Sequence, residues 1–213
     1  MNIEPSQIVP FSESVRLLRL GEEISVETTQ SVRRWLSHLR GDPAVQRAVP
    51  TYTDIALYCT PMSADWSAEA WCAYLNQSTL PDSTYEPRRH MVHVRFDAQS
   101  PEFAEYCSRI GISSAALIER LLLVEFCVGM LGFLPGMPYL IGLPSELHTP
   151  RRKELRTVPA NAFAIGGAQA GVIPAQTISG WWSLGTVREA CFAALEEPPN
   201  RFEIGDVVRL RVD

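Results

Sequence analysis

Closely spaced glycines and prolines between residues 132 and 182 constrain the fold of this chain more than any other feature. The stretch begins Gly132-Phe-Leu-Pro-Gly-Met-Pro-Tyr-Leu140, and apolar side chains lie between its turn-forming residues throughout. A linker would be more polar, and prolines at this spacing would break a long helix. Glycine also permits close backbone approaches that other residues prevent. The stretch therefore predicts a rigid, loop-rich β structure, and the few polar side chains inside it predict a binding site.

The composition is that of an ordinary globular protein. The chain has 213 residues, of which 46% are hydrophobic and 20% charged, enough for one large domain or two small ones. Its net charge of −5 does not favour a nucleic-acid surface, which is normally basic. No apolar run approaches the length of a transmembrane helix, and the first residues lack the pattern of a signal peptide. We therefore expect a cytoplasmic protein with neither nucleic acid nor a membrane as its partner.

The cysteines and histidines do not predict a metal site. The 5 cysteines are widely spaced without a Cys-x-x-Cys pair, so we expect buried, reduced thiols. His90 and His93 are three residues apart on a predicted strand, so they point to opposite faces and are expected at the strand surface. The glycine-rich segment 166–171 lacks the Gly-Lys-Ser/Thr of a P-loop. We therefore predict no metal and no cofactor bound through a recognisable motif.

Alternating strand and helix patterns fill the first half of the chain. The predicted elements are strands at 15–20, 53–59 and 90–96 and helices at 27–40 and 64–77. Their order, β-α-β-α-β, predicts a small α/β sandwich, with the polar stretch 80–89 as a candidate linker.

Two further helices precede a β-rich second half. We predict them at 101–110 and 114–125, with Ser113 as the N-cap of the second. Beyond them, short strands separated by turns continue to the end, most clearly at 181–187 and 207–212. Such a run predicts a barrel or a sandwich.

Polar residues in the rigid stretch are the candidate ligand contacts. The guanidinium of Arg151 or Arg152 can hold a carboxylate or phosphate through two hydrogen bonds, although solvated charges are an equal alternative. Neighbouring side chains on an extended segment face opposite ways, so we expect only one of the two arginines to contact a ligand. Gln169 offers an amide donor and acceptor to a ligand or to its own turn. His148 can change charge near neutral pH, but a surface loop position is favoured.

Five sequence blocks occur in an order and spacing that resemble one known family. They are Gly132–Leu140, Leu147-His-Thr-Pro-Arg-Arg152, Val158-Pro-Ala160, Ile165-Gly-Gly-Ala-Gln169 and Gly180-Trp181. They look like the B-type subunit of the bacterial ATP-dependent 5-oxoprolinase. This family also carries the names allophanate hydrolase subunit 1 and sporulation kinase inhibitor, and it is related to part of the carboxyltransferase domain of urea carboxylase.

The resemblance implies a fold, partners and a ligand class. The implied α+β fold is a small ferredoxin-like α/β sandwich at 1–89 followed by a cyclophilin-like β-barrel domain at 90–213. The implied partners are a homologue of the C-type subunit and a third, amidohydrolase subunit, and the complex uses ATP to open 5-oxoproline. A small carboxylate or lactam is then the expected ligand, with an arginine such as Arg152 on the carboxylate and Gln169 on the lactam. The residues expected to bind it are Arg151, Arg152, Gln169, Pro135, Tyr139 and His148; no catalytic residue is identified.

Several polar features of the family are replaced in this chain. Its Tyr-Gly-Gly segment is Arg95-Phe-Asp97 here, and a helix histidine is Leu121. Its Gln-Thr-Gly-Ile-Tyr-Pro is Gln169-Ala-Gly-Val-Ile-Pro174, and its Pro-Gly-Gly-Trp is Ile178-Ser-Gly-Trp181. Because turn residues persist while polar groups are lost, we predict a retained fold with altered or reduced chemistry.

Three functions stay open at this point. The chain can be a subunit of an oxoprolinase-like, amide-hydrolysing complex that contributes part of the substrate site. It can instead be a diverged member that serves another small-molecule transformation. A non-catalytic regulatory protein of the kinase-inhibitor type is the third alternative.

Overall fold

The computed structural model describes residues 2–77, 80 and 86–213. It divides the chain into two compact units, Met1–Glu86 and Pro87–Asp213, called unit 1 and unit 2 below. Of the predicted linker at 80–89, residues 81–85 lie outside the described residues, and Arg89 already begins a strand of unit 2. Whether each unit folds by itself stays a prediction.

Unit 1 combines one antiparallel sheet with two helices in its described part. Its elements are β1 (Ile8–Ser12), β2 (Val15–Arg19), α1 (Val26–Leu39), β3 (Val45–Pro50), β4 (Asp54–Cys59) and α2 (Ala68–Asn76). The strand order is β1-β2-β4-β3, and every neighbouring pair is antiparallel. Strands β2 and β3 are therefore parallel to each other with β4 between them, and α1 connects them. This split β-α-β arrangement is the characteristic unit of a ferredoxin-like fold.

The helices of unit 1 follow from capping and apolar spacing. Ser25 caps α1 by accepting a hydrogen bond from the Thr28 N–H at 3.1 Å. Val32, Trp35 and Leu39 follow at intervals of three and four residues, and all three are buried in the core of unit 1. The sequence pattern therefore predicts both the helix and the face that it buries.

Two strands of unit 1 are not predicted from the sequence, and one strand that is predicted for this unit belongs to unit 2 instead. Strands β1 and β3 contain Pro10 and Pro50, and proline weakens a strand pattern because it cannot donate to a central ladder. Both strands occupy sheet edges, where proline is tolerated. The strand predicted at 90–96 belongs to the barrel of unit 2, so the predicted β-α-β-α-β order of the sandwich is wrong.

Unit 2 is a closed barrel with two helices and an additional two-stranded sheet. Its elements are β5 (Arg89–Phe96), α3 (Pro101–Ile110), α4 (Ser114–Leu123), β6 (Glu125–Leu131), β7 (Pro138–Ile141), β8 (Arg156–Val158), β9 (Ala162–Gly166), β10 (Gln169–Ile173), β11 (Thr177–Ser179), β12 (Trp182–Val187) and β13 (Val207–Val212). The barrel order is β10-β7-β6-β13-β5-β12-β9, while β8 and β11 form a separate two-stranded sheet. Of the barrel pairs, β13 and β5 run parallel. Helix α3 packs against β12, and α4 packs against β13. The predicted α+β fold class is confirmed.

Alternation along the strands separates two apolar layers in unit 2. On β9, Phe163 and Ile165 point into the main core, which includes Trp182 of β12. Ala162 and Ala164 point to the outer side of the barrel and belong to a smaller cluster with Trp181, Met137, Val158 and Ile173. The outer side of the barrel thus has an apolar surface of its own, next to the two-stranded β8–β11 sheet.

Several local predictions can be compared directly with unit 2. Ser113 caps α4 by accepting from the Ala116 N–H at 3.2 Å, which confirms its predicted role. The helix ends at Leu123 and not at 125, because Glu125 already pairs in the barrel. All 5 cysteines are free and buried, as predicted. None of the helices in the described residues is long and apolar enough to cross a membrane.

Candidate functional site

Three of the predicted ligand-binding residues share the outer side of the barrel with a tryptophan. The Tyr139 ring lies edge-on to the Trp181 ring with centroids 5.4 Å apart, and the Arg151 guanidinium carbon lies 5.5 Å from the Trp181 ring centroid. Tyr139 is paired with Gly171 of β10, and Gln169 lies two residues earlier on the same face of that strand. We call Tyr139, Arg151, Gln169 and Trp181 the outer-face cluster.

Two glycines of the sequence motifs make room for Trp181. A Cβ added at Gly166 would lie 2.6 Å from the indole ring, well inside van der Waals contact. A Cβ at Gly171 would meet the Pro138 carbonyl oxygen at 2.7 Å and the indole at 3.1 Å. The glycine-rich block therefore forms a flat seat for the indole rather than a phosphate-binding loop, and the indole in turn supports Tyr139 and Arg151.

The electrostatics of the outer-face cluster favour an anionic ligand. Arg151 is exposed, and its guanidinium forms no ion pair with any residue that the structure describes. Burial raises the pKa of the Tyr139 phenol, an effect that the positive charge of Arg151 partly offsets. Tyr139 therefore stays a neutral hydroxyl beside a positive charge, and the two groups can address a carboxylate together.

Arg152 faces the opposite way and is already paired within the chain. Its side chain is only 4% exposed, and its Nη1 lies 2.6 Å from Oε1 of Glu102 on α3. Nη2 donates to the Trp181 carbonyl oxygen at 3.0 Å, and the guanidinium carbon lies 5.0 Å from the Trp182 ring centroid. The charge of Arg152 therefore anchors α3 to the barrel. This corrects the expectation that Arg152 faces a ligand carboxylate, since Arg151 is the arginine presented to solvent.

Pro135 and His148 lie outside the outer-face cluster. Pro135 is exposed in the turn between β6 and β7, where the next residue, Gly136, has φ +73°. His148 is exposed and its Nε2 lies 2.9 Å from the Leu143 carbonyl oxygen, a local contact that fixes its loop. Neither side chain takes part in the contacts that define the cluster. Of the six predicted residues, the structure therefore brings together Arg151, Tyr139 and Gln169.

Polar residues that sequence reasoning missed line a neighbouring pocket of about 360 Å³. Asp97 and Ser100 precede α3, Glu102 lies in its first turn, and Ser183 belongs to β12. Arg156 of β8 also lines the pocket. Glu102 and Ser183 are 81 residues apart, and no local pattern predicts that they meet.

The two strand histidines are half-buried and lie against carboxylates, which corrects the expectation of positions at the strand surface. His90 Nε2 lies 2.9 Å from Oδ2 of the fully buried Asp206, which also accepts from Arg88 at 2.7 Å. His93 Nδ1 lies 2.5 Å from Glu189 Oε1 on the other face of β5. Both contacts are pairs with a single carboxylate. In the described part of the chain, no group of three or more His, Cys, Asp or Glu side chains could hold a metal ion.

Three of the positions that depart from the family pattern are apolar and buried. Leu121 and Ala170 are fully buried in the main core of unit 2, and Ile173 is buried in the smaller outer cluster. A histidine or a hydroxyl there would need a buried hydrogen-bond partner. These replacements therefore fit a tightly packed scaffold and leave the polar groups of the outer-face cluster in place.

Comparison with known proteins gives consistent similarities along the chain. The model of the family described as carboxyltransferase domain, subdomain C and D, matches residues 6–202. The 5-oxoprolinase B-type subunit of Escherichia coli O157:H7 is 31% identical over 93% of this chain and 92% of its own length.

Solved structures share the fold within longer chains. The crystal structure of TTHA0988 has a TM-score of 0.81 and 31% identity over 93% of this chain, which spans only 40% of that longer chain. Urea carboxylase from Kluyveromyces lactis shares the fold with a TM-score of 0.72 at 12% identity, and this chain spans 21% of its length.

Proposed function

This chain belongs to the carboxyltransferase-domain family of subdomains C and D, and from that premise we propose that it is a subunit of an ATP-dependent 5-oxoprolinase-like complex. The observation that carries the proposal is the match to the Escherichia coli B-type subunit, which extends over nearly the full length of both chains. In this proposal the complex opens the lactam of 5-oxoproline to glutamate, and this chain contributes part of the substrate site.

The outer-face cluster is the proposed substrate contact. Arg151 carries an exposed positive charge that can pair with the carboxylate of 5-oxoproline through two hydrogen bonds. The Tyr139 hydroxyl and the Gln169 amide lie on the same side of the barrel and offer donors and acceptors to the lactam. Trp181 supplies an aromatic wall for the apolar part of the ring. These groups bind and orient a lactam; the groups that break its C–N bond are assigned to the partner subunits.

Partner subunits are part of the proposal because the same fold occurs as a segment of larger chains. This chain corresponds to 40% of the TTHA0988 chain and to 21% of the urea carboxylase chain. In this proposal, separate subunits supply to this chain the neighbours that those proteins carry in covalent linkage. We assign that role to a homologue of the C-type subunit, and the ATP chemistry to a third, amidohydrolase subunit.

A cytoplasmic location completes the proposal. It is supported by the 5 free, buried thiols, since the cytoplasm keeps cysteines reduced.

Reconstitution of the complex tests the proposed function. The chain is co-expressed with the proteins encoded beside its gene and isolated through a tag on this chain. The complex is then incubated with 5-oxoproline and ATP, and glutamate is measured. ATP-dependent glutamate release is the expected result, and an Arg151→Ala complex should show a raised KM for 5-oxoproline. An assembled complex that releases no glutamate would overturn the proposal.

One observation favours a second candidate, the transformation of another small molecule. Asp97 stands where the family usually carries its Tyr-Gly-Gly segment, and it puts a carboxylate on the pocket beside α3. A changed pocket would suit a changed ligand. A thermal-shift screen of lactams, ureas and carboxylates separates the two candidates, because only the second predicts stabilisation by a compound that is neither 5-oxoproline nor its product glutamate.

A further inference from the structure

The pocket beside α3 has features of a binding site that are separate from the outer-face cluster. Its volume of about 360 Å³ lies at the lower end of the range for small-molecule sites. All of its lining residues belong to unit 2, and they come from three places: the connection from β5 into α3, strand β8 with its following loop, and strand β12.

Glu102 is a carboxylate that the fold holds in place on this pocket. Its Oε1 accepts from the Ser183 N–H at 2.5 Å and lies 2.6 Å from Nη1 of the buried Arg152. Both contacts use the same oxygen, and among the described residues Oε2 receives no hydrogen bond. The side chain is 21% exposed and lines the pocket, and this second oxygen is the one that we assign to a ligand there.

Two exposed side chains of opposite charge complete the pocket. Asp97 lies in the β5–α3 connection, and Arg156 begins β8. Neither makes an ion pair or a side-chain hydrogen bond with the residues that the structure describes. Asp97 and Glu102 together favour a cationic ammonium group, whereas Arg156 favours a carboxylate.

We propose that this pocket binds a zwitterionic α-amino acid. Its ammonium group would lie between Asp97 and the free oxygen of Glu102, and its carboxylate would face Arg156. The choice of glutamate as the first probe rests on the proposed function, because glutamate is the product of the proposed reaction. The proposal that the pocket binds an amino acid depends only on the charges of Asp97, Glu102 and Arg156. The pocket would then bind the product of the reaction, while the outer-face cluster contacts the lactam.

Isothermal titration of the purified full-length chain tests this proposal. The probes are L-glutamate and N-acetyl-L-glutamate, which keeps the carboxylates but lacks the ammonium group. Binding of L-glutamate in the micromolar to millimolar range is expected, and binding of the acetylated compound should be at least about tenfold weaker, since it loses the charge-assisted contacts. Absence of binding by L-glutamate, or equal binding of the two compounds, would overturn the proposal.

Variants distinguish a loss of ligand contacts in the pocket from a general loss of stability. Asp97→Asn should weaken glutamate binding about tenfold without altering stability, because the Asp97 side chain has no partner within the described chain. Glu102→Gln should weaken it as well, and a urea titration shows how much of its effect comes from the lost Arg152 pair. Glu105→Gln, on the same helix but paired with Arg109, is the matched control and should bind as the wild type does.

Failure of this proposal can be told apart from failure of the proposed function. A complex that hydrolyses 5-oxoproline while the chain binds no amino acid contradicts only the pocket. A chain that binds glutamate through Asp97 while the assembled complex hydrolyses nothing contradicts only the oxoprolinase proposal.

Discussion

At the scale of single residues, a substitution at Gly166 tests how tightly the outer-face cluster is packed. A methyl group at this position would lie 2.6 Å from the buried indole of Trp181, which cannot move freely between Tyr139 and Gly171. Gly166→Ala should therefore lower the free energy of unfolding by about 1–3 kcal/mol, as is usual for overpacking. Urea denaturation measures the change. Gly132→Ala is the control, because its added Cβ meets only the flexible end of Met130; equal losses in the two variants would contradict the packing argument.

The lowered pKa of Glu189 predicts that the stability of the fold depends on pH. Burial opposes ionisation of this carboxyl, but hydrogen bonds from the His93 side chain and backbone outweigh it, so the pKa of Glu189 lies below its ordinary value of 4.5. Its stabilising contribution is therefore fully present above pH 4.5 and is lost as the pH falls through the lowered folded-state pKa.

Glu189→Gln should accordingly reduce stability at about pH 6 and should make the decrease in stability toward about pH 3 shallower than in the wild type. Urea midpoints across this range provide the measurement. Glu196→Gln, at an exposed position without an ion pair in the described chain, should follow the wild-type curve. A Glu189→Gln curve parallel to that of the wild type would show that the pair with His93 does not couple to folding.

At the scale of elements, the N-cap of α4 gives a direct test of a sequence-based prediction. Ser113→Ala removes the acceptor of the Ala116 N–H and should cost about 1 kcal/mol of stability. Ser108→Ala is the matched control, because this exposed serine lies inside α3 and alanine has the higher helix propensity. Thermal unfolding of both variants should show a lower Tm only for Ser113→Ala.

Elements with a strong local pattern could be predicted, whereas elements defined by their neighbours could not. Helix α1 has a capping serine and apolar residues at helical spacing, and the glycine–proline blocks predict the turns of the barrel. Strand β1 contains Pro10 and exists because β2 provides a paired edge. Strand β5 alternates clearly, but its sequence does not reveal that its partners β12 and β13 lie near the end of the chain.

The same limit explains which parts of the candidate sites could be predicted. Arg151, Tyr139 and Gln169 lie in conspicuous motifs, and the rule that neighbours on an extended segment alternate gives opposite directions for Arg151 and Arg152. Which of the two is exposed depends on Glu102, which lies far earlier in the chain. No local signal marks Glu102 as a partner, because it resembles any acidic residue in a first helical turn.

For the whole molecule, the boundary between the units makes a prediction about fragments. Unit 2 has its own closed barrel and core, so a fragment of residues 87–213 should fold by itself. A fragment of residues 90–213 lacks Arg88, whose guanidinium pairs with the buried Asp206 and whose carbonyl oxygen accepts from the Val207 N–H. Removing one partner of a buried charge is costly, so the shorter fragment should unfold at a clearly lower urea concentration. Equal midpoints would argue against a boundary before residue 87.

The proposed role in an ATP-dependent lactam-opening complex is tested most directly by omission and return of this chain. The partner subunits are purified without it, supplied with 5-oxoproline and ATP, and then titrated with the purified chain while glutamate formation is recorded. We predict no glutamate in its absence and a rate that rises with added chain until the complex is saturated. Full activity of the partners without this chain, or no activity at any amount of it, would contradict the proposal.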